Sequence, residues 1–307
     1  MSLAIIQQMF VLLIMMFVGY LCRRVGMLNE ISVPIISKIV LNIGIPATVI
    51  VSVMQDNSLS YNMLLLYLVG FMLFNIMCAC IAKIVVKTFK ITKDANLFQF
   101  MYMFSNIGFM GFPVLQAILG EKALLYAVLF LIPSNLMMFS YGEQLMNNQS
   151  KFTIKKLMNA PIIASFIALL ICVFNIQIPE VLIMPLRSLS NVTTPLAMMI
   201  IGISLYGHNI LKVITDKQAL LFTTIKLMIL PCIYCLILNL FHIPILFQII
   251  LVLMMAMPIP SNTIVYASLY NKNIDLVGHV SILTSILCVF TIPLQYHLVL
   301  FLNSCFV

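Results

Sequence analysis

Apolar residues run in blocks of about twenty along almost the whole chain, and polar residues are confined to short gaps between them. A helix needs about 20 mostly apolar residues to cross the hydrocarbon core of a bilayer. The pattern predicts ten such spans, at roughly 3–22, 32–54, 62–84, 96–119, 122–144, 158–175, 181–206, 218–241, 245–270 and 277–302. The gaps leave no room for a soluble domain. The longest polar stretch, Asn147 to Lys156, predicts a cytoplasmic link between two halves, 1–147 and 148–307. The first block lacks a basic start and runs straight into Cys22-Arg23-Arg24, so a retained helix is expected there rather than a cleaved leader.

Composition agrees with an all-α membrane protein. Of the 307 residues, 63% are apolar and 8% charged, against roughly 45–50% and about 25% in a soluble domain. So little charge could not cover a core in water, and disorder would need the opposite balance. The net charge of +8 comes from cations scattered through the gaps, not from a basic face that would grip nucleic acid. With ten spans the loops alternate between two sides. One side receives twelve of the sixteen cationic residues; the other receives only Lys122. Lys38, Arg187 and Lys226 fall inside spans or at their ends. The excess of Lys and Arg marks the cytoplasmic side, so both termini are expected outside, in a multi-pass protein of the plasma membrane.

Ten spans divide into five and five, and an odd number per half inverts the second half relative to the first. The chain carries a matching motif in each half. Lys38, Asn42 and Pro46 follow at spacings of four in the second span, and Arg187, Asn191 and Pro195 do so in the seventh, offset by 149 residues. On a helix such residues share a face, and the proline releases a backbone carbonyl beside them. The cations themselves also suit snorkelling to the headgroups. The fourth span contains Asn106, Gly108, Gly111 and Pro113 in mid-membrane. The ninth contains Pro258, Pro260, Ser261 and Asn262. Both are expected to break. Non-helical backbone at that depth is tolerated only where it is buried or lines a cavity. Paired interrupted spans point to a transporter's substrate or ion site: the half-helices offer free N–H and C=O ends, and Asn106 and Asn262 add amides.

The stretches NIGFMGFPVLQAILG (Asn106 to Gly120), TTPLAMMIIGISL (Thr193 to Leu205), MPIPSNTIVYASLYN (Met257 to Asn271) and SILTSILCVFTIPL (Ser281 to Leu294) resemble, in order, the fourth, seventh, ninth and tenth helices of the auxin efflux carrier family. The resemblance covers essentially the whole chain. That family includes bacterial malate-type permeases and the plant auxin exporters. The resemblance implies ten helices in two inverted repeats, with a scaffold of helices such as one, two, six and seven. It implies a transport domain with helices four and nine crossing, elevator-type alternating access, organic anions as substrates, and a homodimer held through the scaffold. It also implies that Asn106 contacts the substrate carboxylate. The chain departs from the plant pattern at Ser105, where the plant crossover has Pro, and at Pro260, where it has Gly. The long cytoplasmic loop of many plant members is absent.

The acidic residues Glu30, Asp56, Asp94, Glu121, Glu143, Glu180, Asp216 and Asp275 all map to loops or span ends, so the usual intramembrane carboxylate relay for protons is not expected. Of His208, His242, His279 and His297, only His279 is kept as a proton candidate. Sodium coupling through Asn, Ser, Thr and backbone oxygens remains open, as does uncoupled, voltage-driven export. No resident metal or other cofactor is expected: Cys78-x-Cys80 and Cys232-x2-Cys235 lack further ligands at metal spacing. Nor is an enzyme, since no nucleophile–base or metal-hydrolase motif is present. Ser134 and Asn135 in the fifth span are expected to serve interhelical hydrogen bonds. The alternative to a carrier is a non-transporting receptor or a channel-like anion facilitator.

Overall fold

The computed structural model of the chain describes residues 2–54, 61–121, 123–147, 158–174, 176–207 and 210–306. Within them the backbone is helical and contains no strand. Eight helical stretches are long and apolar enough to cross a membrane: Ile5–Arg24, Ser32–Met54, Met63–Thr88, Ala95–Leu119, Ala123–Met146, Glu180–Leu205, Lys217–Leu240 and Ile274–Cys305. Two shorter apolar helices, Ala160–Val173 and Ile245–Met255, stand at the places of the expected sixth and ninth spans. Asp56, Lys122, His208 and the link residues 148–157 lie outside the described residues.

The short helices have local causes. Asn159 caps the sixth, its Oδ1 accepting from the N–H of Ile162 at 3.1 Å, with Pro161 in the first turn. At 14 residues the sixth is about 21 Å long, less than the roughly 30 Å of a hydrocarbon core. The ninth stops at Met255 because Pro258 and Pro260 lack the N–H that would continue the ladder. A second helix, Thr263–Leu269, follows the break.

Prolines also leave a subtler mark. The π-turns Val40–Gly44, Ile107–Gly111 and Ile225–Ile229 are followed, two residues on, by Pro46, Pro113 and Pro231 respectively. Each proline deprives the carbonyl four residues earlier of its donor and crowds it. Widening the preceding turn relieves that crowding. One such carbonyl, that of Leu227, accepts instead from Nε2 of Gln295 at 2.9 Å.

Spans group by contact. The first lies along the seventh, and the seventh along the second, which also packs on the sixth. Small residues allow the closest approach: a Cβ on Gly202 would run into the carbonyl of Met16, and one on Gly19 into the backbone of Met199. Between the second and seventh spans, Ser190 Oγ donates to Thr48 Oγ1 at 3.0 Å. The third span packs on the fourth and fifth, and the tenth on the eighth and ninth. The fourth is the most enclosed: 72% of an 18-residue apolar stretch within it is buried, against 28% in the first and third. Along the first span Phe10, Ile14 and Phe17 are more than half exposed, an apolar stripe suited to lipid rather than water.

Candidate functional site

The fourth span breaks after Met103. Phe104 is extended, and the helix resumes only through the π-turn Ile107–Gly111. Pro113, expected at the break, instead sits second in the helix Phe112–Leu119, just past the π-turn that relieves its missing N–H. Asn106 starts the second half. Its Oδ1 accepts from the N–H of Phe109 at 3.2 Å, and its carbonyl accepts from Met110 and Gly111. The ninth span is non-helical from Ala256 to Asn262.

The two breaks lie against each other. The backbone N–H of Asn106 donates to the carbonyl of Pro258 at 2.8 Å. Ser105 Oγ donates to the carbonyl of Met255 at 3.2 Å. Gly111 faces Met254 so closely that a Cβ there would lie 2.9 Å from its Sδ.

Beside this crossing is a cavity of about 290 Å³. Of the residues singled out by sequence, Asn42, Asn106, Gly108, Pro260, Ser261 and Asn262 line it. The others do not. Pro258 offers its carbonyl to Asn106, and Gly111 and Pro113 pack behind the crossing. Pro46 follows the π-turn that carries Asn42, and Pro195 lies inside the unbroken seventh span. Asn191 lines a second cavity of about 350 Å³ with Arg187, Ser52, Gln116, Glu121 and Ser190. The corresponding asparagines of the two halves therefore face different cavities.

The first cavity also gathers residues that spacing did not single out for it. Ser105, Asn135 and Asn159 bring its polar lining to five asparagines and two serines, with no charged side chain. The Ser134–Asn135 pair is split: Ser134 Oγ bonds Asn75 Oδ1 across helices at 3.2 Å, as expected, while Asn135 turns to the cavity. Among the described residues Asn106 Nδ2 has no partner, which leaves it a donor for a ligand.

One cation stands directly behind the cavity wall. Lys226, in the π-turn of the eighth span, is fully buried. Its Nζ donates to the carbonyls of Tyr102 and Phe104 at 3.1 and 3.0 Å and to Ser105 Oγ at 2.9 Å. A lone charge inside an apolar span is a functional candidate by default, so the signal was present in the sequence. Lys38 and Arg187, by contrast, are exposed. His279 is distant in role: its Nδ1 lies 2.7 Å from Oδ2 of Asp216. Asp216 caps the eighth span through the N–H groups of Gln218 and Ala219. Partial burial raises its carboxyl pKa, but the His279 hydrogen bond and the two N–H groups outweigh this and hold it below the ordinary value.

Comparison with known proteins bears on what such a crossing serves. A protein of Methanocaldococcus jannaschii named as an uncharacterized transporter is 28% identical over 206 residues, which cover 64% of this chain and 67% of that one. Residues 4–153 and 148–296 match the family described as membrane transport protein, a family of transporters and not of enzymes. The chain, with its two broken helices meeting at an amide-lined cavity, belongs to that family of membrane transporters, the auxin efflux carriers.

Proposed function

We propose that this transporter is a carrier for a small organic anion, a carboxylate, in the plasma membrane, and that the anion binds in the cavity beside the crossing. The observation that carries this reading is the lining: five asparagines and two serines around the start of a half-helix, with no acidic side chain among them. Amide N–H groups and the half-helix N-terminus favour an anion. The missing carboxylates remove the repulsion that would exclude one.

The mechanism we assign is elevator-type alternating access. The first, second, sixth and seventh spans form the scaffold, through which two copies pair. The remaining spans carry the crossing past it. Two inverted five-span repeats would make the two end states near mirror images. Asn42 and Asn191, at corresponding places, line separate cavities, which suits a site served from each side in turn.

A current screen on purified protein in liposomes tests this. Mono- and dicarboxylates are offered with and without sodium and pH gradients. A saturable current for one anion class, with counterflow, is the expected result. In Asn106→Ala the apparent affinity for that anion should fall about tenfold or more, since a hydrogen bond to a charged group contributes roughly 1.5–3 kcal/mol. Unchanged affinity in a folded Asn106→Ala protein would remove the cavity from the path. A non-saturating current would move the protein to the facilitator class, and silence across the panel to the receptor class.

A further inference from the structure

The eighth span needs no charge to cross a membrane, yet it spends a lysine in the driest part of the molecule. Lys226 is wholly enclosed, and no carboxylate among the described residues pairs with it. Its partners are oxygens of another kind. Tyr102 and Phe104 supply carbonyls at the end of the first half of the fourth span. Ser105 accepts a third bond, and its own hydroxyl proton goes to the carbonyl of Met255, the last residue of the first half of the ninth span. A half-helix ends in unpaired carbonyls and a partial negative charge. Two such ends converge here, and a single ammonium serves both, one directly and one through a hydroxyl.

The count of protons matters. An ammonium has three N–H donors, and three acceptors stand at 2.9 to 3.1 Å. A neutral amine has only two, and Ser105 could then serve it only by giving up Met255 to donate to the nitrogen; with Ser105 bonded to Met255, the cluster fits the charged form. Oxygen ligands at the carbonyl ends of broken helices are also what a hard cation such as sodium seeks. In this chain that place is already filled by a side chain.

We propose that the Lys226 ammonium is the built-in counter-cation of the crossing: it holds the two half-helix carboxyl ends together, occupies the place a coupling sodium ion would take, and so makes the transporter independent of sodium. This rests on reading the crossing as the transport site, and Lys226 acts there through Ser105, as a positioning residue.

The test begins with the unaltered full chain. Its melting temperature in detergent should be the same in sodium chloride as in choline chloride, and its anion-evoked currents should survive the same exchange. Lys226→Ala should melt about 10 °C lower, because buried carbonyls lose their donors. Sodium or propylammonium, which replaces the deleted end of the side chain, should recover part of that loss. Lys226→Met should show the loss without recovery by either ion, because its side chain fills the space. A merely structural lysine would not create a sodium response where none existed.

Sodium-dependent melting or sodium-dependent currents in the unaltered protein overturn the proposal. So does a Lys226→Met protein that melts like the parent, or a Lys226→Ala protein that folds and recovers with neither ion. If neither variant folds, the exchange on the parent decides alone. The two readings fail separately: silent currents with sodium-insensitive melting count against the carrier, and a sodium-sensitive parent counts against Lys226.

Discussion

At the scale of single residues, polar side chains in this protein are placed by the backbone groups they satisfy. Asp216 is the clearest instance outside the apolar spans. It accepts from two N–H groups at the start of the eighth span and from His279. Asp216→Ala should cost about 1 kcal/mol, the usual value of a cap, seen as a fall of roughly 2–4 °C in melting temperature. The pH dependence has a definite sign. A carboxyl whose folded pKa is lowered contributes stability above its unfolded pKa and loses it as pH falls through the folded value. The gap between parent and variant should therefore narrow in acid, below the ordinary carboxylate range, and a gap that widens there would contradict the geometry. Legibility at this scale was uneven. Asn106, Asn262 and Ser261 could be found because they adjoin Gly and Pro. Asn135 and Asn159 could not be assigned to the cavity, because no spacing rule says which side of a lone helix faces a neighbour's break. Lys226 could be seen as a charge in a span, but its partners are backbone oxygens, and these have no sequence signature.

At the scale of elements, prolines and glycines decide where helices break and where they touch. The expected breaks in the fourth and ninth spans are present, but Pro113 misplaces one of them. Pro113 instead lies inside the resumed half-helix, just past the π-turn Ile107–Gly111 that relieves its missing N–H, and the break itself lies at Phe104 to Asn106. The ninth span follows its prolines directly. The seventh shows the opposite case: Pro195 is carried within an unbroken helix. That helix depends on glycine contact with the first span. Gly202→Leu would force a side chain into the carbonyl of Met16. Overpacking of this kind typically costs about 1–3 kcal/mol, and backbone against backbone leaves little room to relax. The variant should melt several degrees lower, about 2–4 °C per kcal/mol. A parent-like melt would show that the two helices can separate freely.

At the scale of the whole molecule, the hydrophobic blocks made the membrane class and most helices readable, since eight of the ten expected spans are long enough to cross. The sixth and ninth fall short for reasons that lie in a cap and two prolines rather than in hydropathy. Under the alternating reading, Asn42 and Asn191 should report on opposite sides. Asn42→Cys should react with an impermeant maleimide from the cytoplasmic face and Asn191→Cys from the outer face. Labelling of both from one face would end the two-sided reading.

A lysine locked into the crossing also has an electrical consequence. If the crossing travels, it takes one positive charge with it. A bound monoanion cancels that charge, so the loaded carrier moves as a neutral body and feels little of the membrane voltage. The empty carrier moves as a cation. In a cell that is negative inside, voltage pulls the empty crossing inward, with up to about 2.3 kcal/mol per 100 mV. The carrier would then idle facing the cytoplasm, ready to load, and voltage would drive the cycle through its return stroke.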